Sequence, residues 1–274
     1  MKASLSCRIA ESSSRKDVAA MPFAKLAFLA GEAGFSGMSM RASVISVEHS
    51  RKQQKAVRAI LNNNGLSASM VVGNVPLATN NAEAPDCLRD ITPHLDLAER
   101  LGAKLVRVMV QTKSDIPHAQ RAADEAAERR ITLSQQSHWG TLCETVEECA
   151  AVINLVDRPN FGITFEPANL LACGGDCGTD AIRRLAPHVV NFYFQNVRLD
   201  PNGAHTFHSR HMGSTNLTYV PLDDTSGIPI APLIEALREI GYDGWVSVHQ
   251  PLLNGQSVAD AVDEAARVFL PLVY

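Results

Sequence analysis

The feature that most constrains this fold is a regular alternation of short apolar runs with helical patterns. Apolar runs typical of buried strands begin at eight points along the chain: Leu5, Gly37, Ser67, Lys104, Ile131, Phe161, Val190 and Gly244. The first six intervals between these points run from 27 to 37 residues, about the length of one strand followed by one helix. The seventh interval is 54 residues and predicts an insertion before the last strand.

Eight strand-and-helix units predict an α/β protein with a (β/α)8 TIM barrel. The alternative is an open, doubly wound sheet, which normally has a glycine-rich turn after its first strand. The segment that follows the first apolar run here contains no glycine. Because no linker or break in composition interrupts the pattern, we expect one domain over residues 1–274.

Composition excludes several classes of protein. The 25 basic and 29 acidic residues give a formal charge of −4, which is not the balance of a basic nucleic-acid-binding surface. No apolar run approaches the ~20 residues of a membrane span, and no secretory signal is visible. Six dispersed cysteines are typical of reduced thiols. We therefore expect a cytoplasmic protein with no nucleic-acid or membrane partner.

In a barrel the active site forms at the carboxyl ends of the strands, so the polar residues that close each apolar run are the candidates. Such residues follow the first, second and fifth to eighth runs: Arg8, Arg41, Gln136, His138, Glu166, Asn169, Gln195, Arg198 and His249. They are hydrogen-bonding or metal-ligating types, and the topology predicts that they converge on one mouth.

Three segments give the chain a resemblance to a known family. They read LAFLAGEAGFSGMSMR, LDLAERLGAKLVRV and LIEALREIGYDGWVSVHQP. With these segments the chain resembles the sugar phosphate isomerase/epimerase family, whose members are xylose-isomerase-like TIM barrels. The resemblance covers nearly the whole chain. It implies a small carbohydrate substrate and a chain able to pair as a homodimer.

The resemblance also implies a divalent metal ion held by four side chains from strands five to eight, usually Glu, Asp, His and Glu. The matching residues here are Gln136, Glu166, Gln195 and His249, so every position departs from the pattern. The formal charge of the set falls from −3 to −1, which weakens cation binding. Imidazole with oxygen ligands would suit Mn²⁺, Zn²⁺, Fe²⁺, Ni²⁺ or Co²⁺ better than Ca²⁺. The alternative is a metal-free pocket held by hydrogen bonds.

The same departures bear on the chemistry. Family epimerases use two metal-binding glutamates as bases, and Gln136 cannot accept a proton in that role. A one-base scheme remains, in which His249 or Glu166 removes a proton next to a carbonyl while a metal or Arg198 polarises the oxygen. The sequence thus predicts a metal-assisted sugar isomerase or epimerase. The alternatives are a lyase or hydratase on a keto-sugar, and a catalytically reduced barrel that only binds sugar.

Further residues are candidates for substrate binding. Arg8 and Arg41 can bind substrate hydroxyls or an anion, or can form an ion pair with Glu11 or Glu48.

The 54-residue interval and the fifth strand supply the remaining candidates. His208 and Arg210 lie in the interval, after the strand where barrel enzymes often hold phosphate. His138 stands beside Trp139, and Asn169 follows the sixth strand.

Overall fold

The structure is a computed structural model that describes residues 1–12 and 15–274. Eight parallel strands close into a barrel, because β1 pairs with β2 on one side and with the last strand, β11, on the other. This confirms the predicted (β/α)8 fold. The barrel strands are β1 Lys2–Ser6, β2 Gly37–Met40, β3 Ser67–Val71, β4 Leu105–Val108, β5 Thr132–Gln136, β6 Phe161–Phe165, β7 Val189–Phe194 and β11 Trp245–Val248.

Helices pack around the barrel, and several begin where the side chains favour it. Ser50 and Ser257 each accept a hydrogen bond from the third residue of the helix they precede, which satisfies a free backbone N–H. The helices are α1 Phe23–Glu32, α2 Arg51–Asn63, α3 Val75–Thr79, α4 Asp86–Arg89, α5 Thr92–Leu101, α6 Ile116–Glu128, α7 Val146–Val156, α8 Pro167–Ala172, α9 Thr179–Arg184, α10 Ile230–Glu239 and α11 Val258–Val273. In the described part of the chain, none of them is long and apolar enough to span a membrane.

The first strand differs from its predicted position. The apolar run from Leu5 suggests a strand that continues to Ile9, whereas the strand covers Lys2–Ser6 and a short 3₁₀ turn covers Cys7–Ala10. Ser6 ends the strand because its hydroxyl accepts a hydrogen bond from the backbone N–H of Arg8 and so starts the turn. The turn brings Arg8 to the mouth of the barrel.

The predicted insertion forms a small antiparallel sheet after β7. Its strands are β8 Val197–Leu199, β9 His205–Ser209 and β10 Gly213–Tyr219, with β10 in the middle. This sheet contributes Phe207 and Tyr219 to the mouth of the barrel, so it forms part of the wall of the pocket described next.

Candidate active site

A pocket of about 40 Å³ lies at the carboxyl ends of the barrel strands, where the fold places active sites. Four basic side chains, two imidazoles and four amides line it, and the described lining contains no carboxylate. The lining residues are Arg8, Lys16, Arg41, Ala78, Asn80, Arg107, Gln136, His138, Trp139, Asn169, Gln195, Phe207, Tyr219 and His249.

Glu166 lies directly behind this lining. It directly follows β6 and is completely inaccessible to solvent. Its Oε1 accepts a hydrogen bond from the Gln195 amide, and its Oε2 accepts one from the Gln136 amide. The Asn169 amide donates to Oε2 as well, at 2.9 Å. The three amides therefore separate the carboxylate from the cavity and hold it in place.

The environment of Glu166 changes its proton affinity. Burial raises the pKa of Glu166 to about 7, although the charges of Arg8, Arg107, Arg41 and Lys16 oppose that rise. A carboxyl group with a pKa near neutrality can both accept and return a proton under ordinary conditions.

His249 directly follows β11 and lines the cavity. Its Nδ1 lies 2.8 Å from the hydroxyl of Ser6, and its ring stacks on Tyr193 with centroids 4.0 Å apart. Burial, followed by the charges of nearby basic groups such as Arg8 and Arg41, holds the pKa of His249 well below its usual value. The imidazole is therefore neutral at pH 7 and a weak base.

The four basic residues differ in how they are held. Arg41 pairs with buried Glu11 at 2.5 Å, which is the ion pair that the sequence offered as an alternative to substrate binding. Arg8 donates to the hydroxyl of Tyr219 at 3.0 Å. Burial lowers the pKa of Lys16 to about 7, with help from the charges of Arg8 and Arg41.

Arg107 is 1% exposed and has no carboxylate bonded to it. It donates to the carbonyl of Leu77 and to the side chain of Asn80, and its buried Nε has no partner among the described residues. Asn80 in turn contacts Nε2 of His138 at 3.0 Å, while Nδ1 of His138 donates to the carbonyl of Trp139 at 2.6 Å. These bonds fix the imidazole of His138 as a neutral acceptor toward Asn80.

The structure brings most of the predicted site residues together. Arg8, Arg41, Gln136, His138, Asn169, Gln195 and His249 line the pocket, and Glu166 contacts it from behind.

Three of the predicted substrate-binding residues lie outside this pocket. Arg198 is exposed on β8 beside Asp200. His208 is exposed on β9 and contacts Ser214. Arg210 lies in the turn after β9 and bonds to Thr141 and the glutamates of the β5–α7 segment. Each points away because the insertion folds as a separate sheet.

Five polar or aromatic residues of the pocket were not among the sequence candidates: Lys16, Asn80, Arg107, Phe207 and Tyr219. Arg107 could have been found, because it is a charged residue inside the apolar run LVRVMV of β4. The others lie on loops or in the insertion, where no periodic pattern fixes the direction of a side chain.

The donor set does not fit a divalent cation. Two of the four predicted ligands, Gln136 and Gln195, direct their N–H groups at Glu166. Glu166 is the one carboxylate among the four predicted ligands, and no cluster of three His, Cys, Asp or Glu side chains suited to a metal occurs in residues 1–12 and 15–274. The surrounding arginines and Lys16 would repel a cation at the place where the carboxylate would have to bind it.

A barrel of this topology with a polar mouth defines a (β/α)8 protein with a candidate site at its carboxyl-terminal face. Residues 27–271 match the family model described as xylose isomerase-like TIM barrel, and the chain belongs to that family.

Three comparisons place the chain among known proteins. An alignment of 179 positions, which covers 57% of this chain, shows 24% identity to inosose dehydratase from Lacticaseibacillus casei; it spans 60% of that enzyme, less than two thirds of its length. The probable 3-DHS dehydratase AsbF from Bacillus anthracis superposes with a TM-score of 0.70 at 17% identity, covering 98% of this chain and 99% of that one.

A xylose isomerase-like TIM barrel protein from Mycobacterium smegmatis, solved in complex with magnesium, superposes with a TM-score of 0.69 at 17% identity. The superposition covers 100% of this chain and 98% of the Mycobacterium smegmatis chain. At these identities the two structures establish the fold alone. The magnesium complex shows that a protein with this fold binds a divalent metal, whereas the donor set described above does not fit one in this chain.

Proposed function

We propose that this protein is an enzyme that removes a proton next to the carbonyl group of a small sugar-like substrate and eliminates water from it. The observation that carries the proposal is the buried carboxylate of Glu166, which three amides hold at the floor of a basic pocket. The named activity of the Lacticaseibacillus casei relative, a dehydratase of inosose, supports the same reaction class.

The proposed reaction needs one proton-transferring group. The substrate displaces the amides of Gln136 and Gln195 from Glu166, whose carboxylate then takes the proton from the carbon next to the carbonyl. The electron pair of that C–H bond forms an enolate. As the carbonyl re-forms, a C=C bond forms and the C–O bond to the neighbouring hydroxyl breaks. Glu166 gives its proton to the departing oxygen, which leaves as water, and the carboxylate is restored.

Two lining groups stabilise the enolate oxygen in this scheme. Arg107 supplies positive charge in a buried setting, where electrostatic interactions are strong. The Ser6 hydroxyl accepts from the backbone N–H of Arg8, which leaves its own hydrogen to donate to Nδ1 of His249. In that tautomer Nε2–H of His249 donates to the substrate. We therefore assign the base to Glu166 and a hydrogen-bonding role to His249.

The one-base arrangement favours elimination or isomerisation over two-base epimerisation, because Gln136 and His249 offer no second carboxylate. We prefer elimination, since the sequence relative is a dehydratase. The proposal includes no divalent ion, because the donor set does not fit one. The six free cysteines support the predicted reducing, cytoplasmic compartment.

The proposal is tested with a panel of small keto-sugars and sugar-derived keto acids in D₂O. Proton NMR follows loss of the hydrogen next to the carbonyl, and ultraviolet absorbance follows formation of the unsaturated carbonyl product. We expect both with the wild type, and a fall of about 100-fold or more in Glu166→Gln. Glu32→Gln, which changes an exposed carboxylate on α1, is the matched control and should not alter the rate.

Isomerisation would give exchange and a rearranged sugar without the unsaturated product. Absence of exchange with every compound, or wild-type exchange in Glu166→Gln, would contradict the proposal and favour the sugar-binding alternative.

A further inference from the structure

We infer that the pocket binds an anionic group of its substrate, a carboxylate or a phosphate, through Arg8 and Lys16 at the mouth. This inference rests on the proposed function for the identity of the ligand as substrate, and it narrows the substrate class from sugar-like compounds to sugar acids or sugar phosphates. It is carried by an imbalance of charge, by two basic side chains without an acidic partner, and by the shape of the lining.

The imbalance follows from the pairing of the charged groups. Four basic residues line the pocket, and the two carboxylates near them are Glu11 and Glu166. Glu11 pairs with Arg41, and Glu166 is covered by amides. Buried charges in proteins are normally paired, because an uncompensated charge is costly to remove from water. The remaining positive charge is compensated if the substrate brings an anion.

Arg8 has donors available for that anion. It is half-buried, and one Nη donates to the Tyr219 hydroxyl while its guanidinium carbon lies 5.8 Å from the Tyr219 ring centroid. Tyr219 thus orients the guanidinium without neutralising it, and the opposite edge can form the paired hydrogen bonds that carboxylate and phosphate accept.

Lys16 is the second group. It is half-buried at the same cavity, and its ammonium has no ion-pair or hydrogen-bond partner among residues 1–12 and 15–274. The charged groups that act on it are Arg8, Arg41 and Arg107, which disfavour its protonated form, and Glu11, which favours it. An anion bound beside Lys16 would offset the three arginines, so Lys16 would take up a proton as the ligand binds.

The experiment uses matched four-carbon probes: erythronate, which carries a carboxylate, erythritol, which is its neutral counterpart, and erythritol 4-phosphate. Titration calorimetry at low salt measures the affinity of the wild type for each. We expect the anions to bind at least tenfold more tightly than erythritol and to lose affinity as salt is added. The tighter of the two anions identifies carboxylate or phosphate as the group recognised.

Variants locate the site. Arg8→Met and Lys16→Met keep side-chain bulk without charge, and each should weaken anion binding about tenfold while leaving erythritol unaffected. Arg51→Met and Lys55→Met change exposed residues of α2 and are the matched controls. Titration near pH 7 in two buffers of different ionisation enthalpy should show proton uptake with the wild type, and Lys16→Met should lose it.

Equal affinity for erythronate, erythritol and erythritol 4-phosphate, or anion binding that survives both mouth variants, would overturn the inference. Its failure is distinct from failure of the proposed function. Anion binding that depends on Arg8, without hydrogen exchange on any carbonyl compound, would leave the inference standing and refute the reaction. Hydrogen exchange on neutral and anionic substrates alike, without a difference in affinity, would leave the proposed reaction standing and refute the inference of an anion site.

Discussion

At the scale of single residues, two features of the surroundings of Glu166 have opposite effects on its ionisation. The interior excludes water from its carboxylate, while amides and nearby basic groups favour its charged form. Burial prevails, so the pKa of Glu166 rises to about 7. The same balance that suits Glu166 to proton transfer also makes the folded state sensitive to pH.

Glu166→Gln should stabilise the protein at pH 8 and have little effect near pH 4.5. The folded-state pKa of about 7 lies above the ordinary 4.5, so the stability that Glu166 contributes is complete below pH 4.5 and is lost as pH rises through 7. The amide mimics the protonated acid, and the gain at pH 8 should be on the order of 3 kcal/mol.

Chemical denaturation of both proteins at several pH values measures this difference. Glu32→Gln controls for the loss of an acidic group at the surface. A Glu166→Gln protein that is less stable than the wild type at pH 8 would show that the carboxylate is favourably ionised in the fold.

At the scale of elements, the buried carboxylate of Glu144 is one of the groups that hold the inserted sheet against the barrel. Glu144 accepts a hydrogen bond from the backbone N–H of Gly140 and another from that of Arg210, both at 2.8 Å. These bonds join the β5–α7 segment, which carries Trp139, to the turn after β9. Phe207 lies on β9 itself. The two rings meet edge to face with centroids 5.6 Å apart and form one wall of the pocket.

Glu144→Gln should loosen that wall. An amide replaces one acceptor oxygen with an N–H group, so one of the two backbone donors loses its partner, at a cost of about 1–3 kcal/mol. We expect faster hydrogen exchange in residues 205–219 than in the wild type. Glu147→Gln, at an exposed position in the first turn of α7, is the control, and equal exchange in both variants would contradict the assigned role.

The packing of β6 against β7 leaves no space for a side chain at Gly162. A Cβ there would lie 2.4 Å from a methyl carbon of Val190 and 2.8 Å from the carbonyl oxygen of His188. Gly162→Ala should lower the free energy of unfolding by about 1–3 kcal/mol. Thermal unfolding checks this, and Val190→Ala in the same background should recover part of the loss. An unchanged melting temperature in Gly162→Ala would show that Val190 and the backbone at His188 shift to make room at no cost.

The sequence predicts the strands and the insertion better than it predicts the residues of the candidate site. The strands are identified because each apolar run has the length and spacing of a buried parallel strand, and the insertion is identified by its extra residues. The first strand is misplaced because the run from Leu5 is apolar both in the strand and in the turn that follows. Periodicity measures burial and cannot distinguish those two conformations.

The site shows the same limit. The strand ends Gln136, Glu166 and His249 are predictable, because the barrel fixes where strands terminate. The contribution of Lys16 to the pocket is not predictable from the sequence, because Lys16 lies on a loop whose path depends on tertiary contacts. The placement of Arg210 against Glu144 likewise depends on the folding of the inserted sheet.

At the scale of the whole molecule, a chain with a formal charge of −4 concentrates four basic groups at one end of its barrel. That distribution directs an anion toward the mouth and a cation away from it. We therefore propose that proton transfer here depends on Glu166 and the basic lining, without a divalent ion. The homodimer implied by the family resemblance stays a prediction.

The most direct test is the rate of hydrogen exchange next to the carbonyl of an anionic keto-sugar substrate in D₂O, measured for wild-type protein before and after dialysis against a chelator. We expect the same rate in both preparations, no increase on adding Mg²⁺, Mn²⁺ or Zn²⁺, and a loss of about 100-fold or more in Glu166→Gln. Exchange that stops on chelation and returns with one of these ions would contradict the proposal.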